Sequence, residues 1–324
     1  MHMAGEVKHT RMPNLCHGWT RGEATGDDVV TDRESAVDRW HALVEGRKQQ
    51  MDSAYACLGR DSSDFWTRRA GRYPRQANAA AQESPLVRRV RSLLPAGGAV
   101  LDVGAGTGRY TLPIARFAGA VIAVEPSEDM SGRLADDAAA AGIGNITILP
   151  TGWLESAAAT DAADVVLCTH VLYPQADIEA WIRSLDARAM VAVVLELMAD
   201  WAEPPVLLAL WERLHGEARI PQPTYFDVYA VLHEMGIPAN VEVYDAGASS
   251  FWQFPTIDDA VDAAREHLIL STSSEMDSVL REGLTECLVR NGDGWVLQSH
   301  RVAATVWWER TGPRIGSSSI SHED

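Results

Sequence analysis

Paired cysteines are missing from this chain. Cys16, Cys57, Cys168 and Cys287 stand far apart with no C-x-x-C among them. That spacing excludes a zinc ribbon, gives no disulfide framework and suits a reducing, cytoplasmic setting. Cationic residues are scarce as well: 28 Lys and Arg face 45 Asp and Glu, for a formal net charge of −17. A phosphate-tracking groove needs clustered Lys and Arg, so nucleic acid is not an expected partner. The stretch from Arg68 to Arg91 is the local exception, and Arg88-Arg89-Val90-Arg91 reads as a solvated helix face. No apolar run reaches the roughly 18 residues that a membrane span requires, and the first residues are polar, so neither a span nor a secretory signal is expected. His215, His233 and His267 share no ligand spacing; no metal set is expected, and each reads as a surface or boundary residue.

The chain has 324 residues, 46% of them hydrophobic, enough for one large domain or a domain with an appended cap. Residues 1–32 lack periodicity and read as a loose arm, and 311–324 as a similar tail. Over 33–85 apolar residues recur at helical spacing (Val37, Trp40, Leu43, Val44, then Met51, Tyr55, Leu58), which predicts a helical cap. A second cap helix is expected over Phe65–Tyr73. From 86 to 310 strands and helices alternate, the pattern of a parallel sheet covered on both faces. After a helix at 86–94, strands are expected at 99–103, 120–124, 145–149, 164–169, 190–197, 239–245 and 300–308. A helical insertion over about 257–290 separates the last two and reads as a lid. Among the eleven tryptophans, Trp201, Trp211 and Trp252 are expected near the strand ends, as an aromatic pocket or as core.

The most informative stretch is V-L-D-V-G-A-G-T-G-R-Y, Val100 to Tyr110. A buried strand carrying one acid, Asp102, runs into Gly104, Gly106 and Gly108, and then into a helix expected over Arg109–Phe117. Strand, glycine turn and helix is the geometry in which bare backbone touches a ligand. Dinucleotide folds require G-x-G-x-x-G; here that last position is Arg109, so the dinucleotide reading fails. A second strand ends in Glu125, roughly 17 residues past Gly108, close to where an acid meets ribose hydroxyls in nucleotide folds. A carboxylate accepts both protons of a cis-diol. Pro126 follows, and Ser127 is suited to cap the next helix.

The G-x-G-x-G turn after an acid-bearing strand, with Glu125 beyond it, resembles the class I S-adenosylmethionine-dependent methyltransferases, over about Leu86–Trp308. The resemblance implies a Rossmann-like sheet of seven strands, the last antiparallel. It implies S-adenosyl-L-methionine as the methyl donor and S-adenosyl-L-homocysteine as the product. The turn Gly104-Ala105-Gly106, with Gly108, then faces the methionine part of the donor. Asp102 helps to hold its ammonium group, and Glu125 takes the ribose. Met130 packs on adenine or serves the core. Relatives place an acid just after the glycine that corresponds to Gly152; this chain has Trp153, which stacks on adenine or fills the core, with Glu155 as a weaker substitute. Tyr73, beside Arg72 and Trp66, touches the methionine carboxylate or docks the cap.

By the same resemblance the segment Cys168–Pro174 reaches both donor and acceptor. His170 is the first candidate for a general base, because histidine titrates near neutral pH; the alternative is a residue that orders the loop. Tyr173 is a second catalytic candidate. The expected activity is methyl transfer to a small molecule, on oxygen before nitrogen. A protein or peptide acceptor, or a non-catalytic binder of the same fold, are the other possibilities. Nothing in the pattern sets the oligomeric state.

Overall fold

Residues 34–60, 83–200, 203–248, 252–297 and 300–310 are described by a computed structural model. The expected arm and tail, the cap helix with Trp66, Arg72 and Tyr73, and Trp201 lie outside these residues.

Helix α1 (Ala36–Cys57) starts at Ser35, whose side chain accepts from the Asp38 amide. Its buried residues Ala36, Trp40, Val44, Arg47, Gln50, Ala54 and Tyr55 follow one helical stripe, as the periodicity predicts. Helix α2 (Pro85–Leu93) has a proline in its first turn and a cap from Ser84, both favourable at a helix start. Then come β1 (Ala99–Val103), the short α3 (Thr111–Ala115), β2 (Ala120–Val124), α4 (Glu128–Ala140) and β3 (Ile146–Leu149). They are followed by α5 (Trp153–Ser156), β4 (Ala163–Thr169), α6 (Ile178–Arg188) and β5 (Ala189–Met198). Next are α7 (Pro205–His215), α8 (Tyr225–Glu234) and β6 (Asn240–Ala248). The insertion comprises β7 (Gln253–Phe254), α9 (Ile257–His267), α10 (Ser274–Thr285), β8 (Leu288–Asn291) and β9 (Gly294–Leu297), and β10 (His300–Glu309) closes the sheet.

The main sheet has seven strands in the order β3-β2-β1-β4-β5-β10-β6. β10 runs antiparallel to both β5 and β6, and the pairs from β3 to β5 are parallel. All seven expected strands form, and the expected Rossmann-like order with an antiparallel last strand is what the chain adopts. Alternate residues serve opposite faces. Leu101, Val103, Val166, Val193 and Leu195 pack with α1, α6 and α8; Val100, Val121, Val165, Leu167 and Val194 pack with α2 and α3. Arg88 and Arg91 are exposed as expected, whereas Arg89 is half-buried with its guanidinium 3.8 Å over the Trp307 ring.

Two expectations change. The helix after the glycines is α3 alone, shorter than Arg109–Phe117. The insertion is not purely helical: β7, β9 and β8 form a three-stranded antiparallel sheet beside α9 and α10. Its β8–β9 hairpin closes with the two-residue loop Gly292-Asp293, with Gly292 at φ of 59°, and glycine first in a two-residue loop is a hairpin signal that the helical pattern obscured.

The insertion shares a second core with α7 and the last turn of α1. Ala54 and Tyr55 join Leu207, Trp211, Trp252, Val261, Leu268, Leu280 and Leu297, whereas Ala36, Trp40 and Val44 belong to the sheet's core. Helix α1 therefore spans both cores. Between them the buried Glu203 carboxylate gathers Arg47 Nη2 at 2.6 Å, Arg219 Nε at 3.2 Å and His267 Nε2 at 2.9 Å. His267 is thus a boundary residue, one of the two alternatives expected, with its ring turned inward. His215 likewise stacks on Trp211, at 3.9 Å between ring centroids.

Burial alone would raise the Glu203 pKa; His267 and the two guanidinium charges outweigh it and hold the carboxyl well below its usual range. A depressed folded-state pKa stabilises the fold fully above the unfolded value of 4.5 and less and less on acidification below it. Glu203→Ala removes the carboxylate and leaves its cations buried, so chemical denaturation at neutral pH should show a loss of about 3–5 kcal/mol. A loss below about 1 kcal/mol would mean that the cluster does not join the two cores.

Candidate functional site

Three glycine conformations shape the turn after β1. Gly104 and Gly108 have φ of 75° and 86°, a region that favours glycine. A Cβ at Gly104 would lie 2.2 Å from Val171 Cγ2, and one at Gly108 would lie 2.4 Å from Leu134 Cδ1. These two glycines let the β4 loop and α4 close onto the turn. Gly106 is different: a Cβ there would meet only Met130 Sδ, at 3.8 Å, an ordinary contact, so no close packing presses on this glycine. The Gly104 and Ala105 amides both donate to the Val124 carbonyl, at 2.8 and 3.1 Å, which ties the turn to the end of β2.

Asp102 sits under this turn and is 2% exposed. Thr111 Oγ1 donates to its Oδ2 at 2.6 Å, while Oδ1 is buried with no partner. Desolvation pushes its pKa up to about 7; the Thr111 hydrogen bond opposes the rise and the nearby Glu125 charge adds to it. A buried carboxylate with one unused oxygen suits a cation or a hydrogen-bond donor.

Glu125 lies at the end of β2. Its Oε2 accepts from the Gly106 amide at 2.8 Å, and its Oε1 from the Ser127 amide at 2.9 Å. Burial raises its pKa and the two amide bonds moderate the rise. Each oxygen keeps a second lone pair for a ligand hydroxyl. Ser127 caps α4 and Met130 is buried one turn later; Pro126 is exposed. At the end of β3, Gly152 precedes α5. Trp153 does not offer a stacking face there. It is 3% exposed, belongs to the sheet's core and donates from Nε1 to Ser184 Oγ at 2.7 Å. The expectation that its ring stacks on adenine is corrected in favour of the core alternative.

His170 leaves β4 in the left-handed region, with φ of 58°, and its amide donates to the Glu196 carbonyl at 2.9 Å. Its Nδ1 lies 3.1 Å from Tyr173 Oη, and that oxygen accepts from the Met198 amide at 2.7 Å. A phenol oxygen that accepts an amide still has its own proton to give, which places that proton toward Nδ1 and the ring proton on Nε2. His170 Nε2 lies 3.0 Å from Glu196 Oε1, yet off the line that a hydrogen bond needs; the contact is electrostatic. Burial pushes the Tyr173 phenol up, so it stays protonated at neutral pH.

Glu196 is the residue that the sequence reading missed. It is 1% exposed and accepts from Tyr110 Oη at 2.5 Å and from Tyr244 Oη. Burial would raise its pKa, but the approach of His170 and the two phenol hydroxyls outweigh that and keep it ionised. The signal was present: Glu196 is the single charged residue in the apolar run A-M-V-A-V-V-L-E-L-M of β5. Asp102, Gly106, Glu125 and Met130 thus meet around the β1–β2 ends. His170 and Tyr173 gather at the β4–β5 ends. Tyr73 lies outside the described residues. No group of three or more His, Cys, Asp or Glu among the described residues is arranged to hold a metal.

A family model described as a methyltransferase domain matches residues 100–189. An uncharacterized protein of Haemophilus influenzae is 28% identical over 155 residues, 47% of this chain and 56% of that protein. The chain thus spans about half the length of that curated relative. Among solved structures, magnesium protoporphyrin IX methyltransferase from Synechocystis, with bound S-adenosylhomocysteine, is 16% identical. The match covers 80% of this chain and 99% of that one, with a TM-score of 0.45. The YcgJ protein of Bacillus subtilis is 14% identical over 70% of this chain and 98% of its own, with a TM-score of 0.46. Residues 100–189 thus match a methyltransferase domain, and the seven-stranded order around that segment is the one that the resemblance in the sequence implies.

Proposed function

We propose that the protein binds S-adenosylmethionine along the carboxyl ends of β1, β2 and β4 and methylates a small molecule, on oxygen rather than nitrogen. The observation that carries this reading is the pair of acids around Gly106. Glu125 has both oxygens anchored by backbone amides and lone pairs left for a diol. Asp102 keeps Oδ1 buried and unused, which suits the donor's ammonium group, directly or through water. The donor supplies an activated methyl group on a cationic sulfur. The chain's task is positioning, worth about 7–11 kcal/mol of the barrier, and removal of the acceptor's proton.

His170 and Tyr173 supply that removal. The acceptor hydroxyl donates to Tyr173 Oη, the Tyr173 proton passes to His170 Nδ1, and the imidazolium formed faces ionised Glu196. The distances of 3.1 Å from Oη to Nδ1 and 3.0 Å from Nε2 to Oε1 support this route. A small acceptor is favoured by connectivity. The segments after β5 and β6, and the one entering β10, all leave from this same edge of the sheet, and they build the second core. The acidic balance of the chain disfavours nucleic acid. Among the described residues no helix is long and apolar enough to cross a membrane.

Calorimetry should give a saturable isotherm for S-adenosylhomocysteine, and Glu125→Gln should weaken it about tenfold or more. No binding to the unmodified protein would end the proposal. Asp102 adds a pH signature. Its folded-state pKa of about 7 exceeds the unfolded 3.8, so the folded state holds the proton more tightly. Stability should fall as pH rises from about 4 to about 7 and level off above that. A cation at Oδ1 reverses this preference: binding at about pH 6 should release a proton, seen in buffers of different ionisation enthalpy, and Asp102→Asn should release none. Equal proton release by both proteins would remove Asp102 from the site. For the base, His170→Ala should lower turnover by about a hundredfold or more while leaving donor affinity unchanged. A loss below about tenfold would assign His170 to loop ordering instead.

A further inference from the structure

Two arginines with incomplete charge compensation among the described residues stand at the same edge of the sheet. Arg109 occupies the position where a dinucleotide fold would have its last glycine; its Nε is buried with no partner, and its guanidinium lies 5.0 Å from the Tyr110 ring centroid. Arg301 is half-buried at the start of β10, beside a register shift between Arg301 and Val302, and such a bulge re-aims a side chain. Its Nη2 lies 3.9 Å from Met198 Sδ. Among the described residues neither arginine makes an ion pair, in a chain where acids outnumber bases 45 to 28. Burial lowers the Arg301 pKa and the Arg109 charge lowers it further, so the two cations are close enough to repel.

Glu196 does not resolve this. Its oxygens are engaged by Tyr110, Tyr244 and His170, and one carboxylate offsets at most one of two guanidinium charges. The pair is bounded by the glycine turn, the β4 loop with His170 and Tyr173, and the ends of β5 and β10. A partly desolvated pair of cations with less than its full counter-charge is costly unless a ligand supplies the rest.

We propose that Arg109 and Arg301 receive a carboxylate carried by the methyl acceptor, so that the substrate class is a small organic acid with a nucleophilic oxygen. This rests on the methyl-transfer reading and adds a specificity device to it. Guanidinium forks match a planar carboxylate with paired hydrogen bonds, which a single ammonium does not. Docking the acid there holds the rest of the acceptor toward Tyr173.

The test uses the full chain saturated with S-adenosylhomocysteine and two probes, 4-hydroxybenzoate and its uncharged analogue 4-hydroxybenzamide, followed by ligand-observed NMR. The unmodified protein should bind the benzoate and discriminate against the benzamide. Arg301→Gln and Arg109→Gln should each weaken the benzoate about tenfold and leave the benzamide unchanged. Arg301→Lys, with its melting temperature matched to the unmodified protein, should recover only a fraction of the affinity and so separates recognition from folding. Equal binding of both probes, no benzoate binding, or glutamine variants that bind benzoate normally would overturn the inference. The donor also bears a carboxylate, so S-adenosylhomocysteine and 5′-methylthioadenosine, which lacks the amino-acid tail, are titrated separately. If the glutamine variants weaken the first and spare the second, the arginines serve the donor and the acceptor assignment falls. Failure of S-adenosylhomocysteine to bind the unmodified protein would instead indict the donor site, a result distinguishable from any of these.

Discussion

One carboxylate pins the edge of the sheet on which the proposed chemistry sits. Glu196 stands near the end of β5, buried, and ties four segments together. Tyr110 brings the start of α3, directly after the glycine turn; Tyr244 brings β6; the His170 ring brings the loop after β4, whose His170 amide also donates to the Glu196 backbone carbonyl. An ionised acid in this setting survives because its neighbours outweigh the cost of burial. The left-handed backbone at His170 is held by the same contacts. Val171, the next residue, closes onto Gly104, so the arrangement around Glu196 also sets how tightly the β4 loop seals the turn.

A second carboxylate has a comparable role beside the insertion. Glu203 lies just beyond β5 and joins α1, the segment after α7 and the insertion through Arg47, Arg219 and His267. Because α1 feeds both cores, the insertion is not a loose flap on the sheet. It belongs to a packed unit with its own hydrophobic interior. Such packing sets a wall beside the edge of the proposed chemistry, and a packed support of this kind is what positioning requires.

Much of this was legible in the residues. The strands were readable because buried parallel strands are near-continuous apolar runs. The turn and the acid proposed to hold the donor were readable because the glycine spacing and Glu125 sit at fixed offsets from β1. Trp153 misled, since tryptophan suits both a stacking platform and a core, and only its contact with Ser184 decides between them. Glu196, Tyr110 and Tyr244 come from separate segments of the chain and meet only through the sheet order, so no local spacing shows them together. The small sheet in the insertion was hidden for a simpler reason: its strands are short, and the helices beside them dominate the periodicity.

The central claim is that the turn at Gly106 and the acid at Glu125 hold the donor. The amides of Gly106 and Ser127 report on it directly, because both donate to Glu125 in this structure. Nitrogen-15 NMR of the full chain during titration with S-adenosylhomocysteine should show these two resonances, with that of Met130, shifting together and saturating at one equivalent. Resonances that stay fixed while the ligand binds elsewhere, or while nothing binds, would contradict the account.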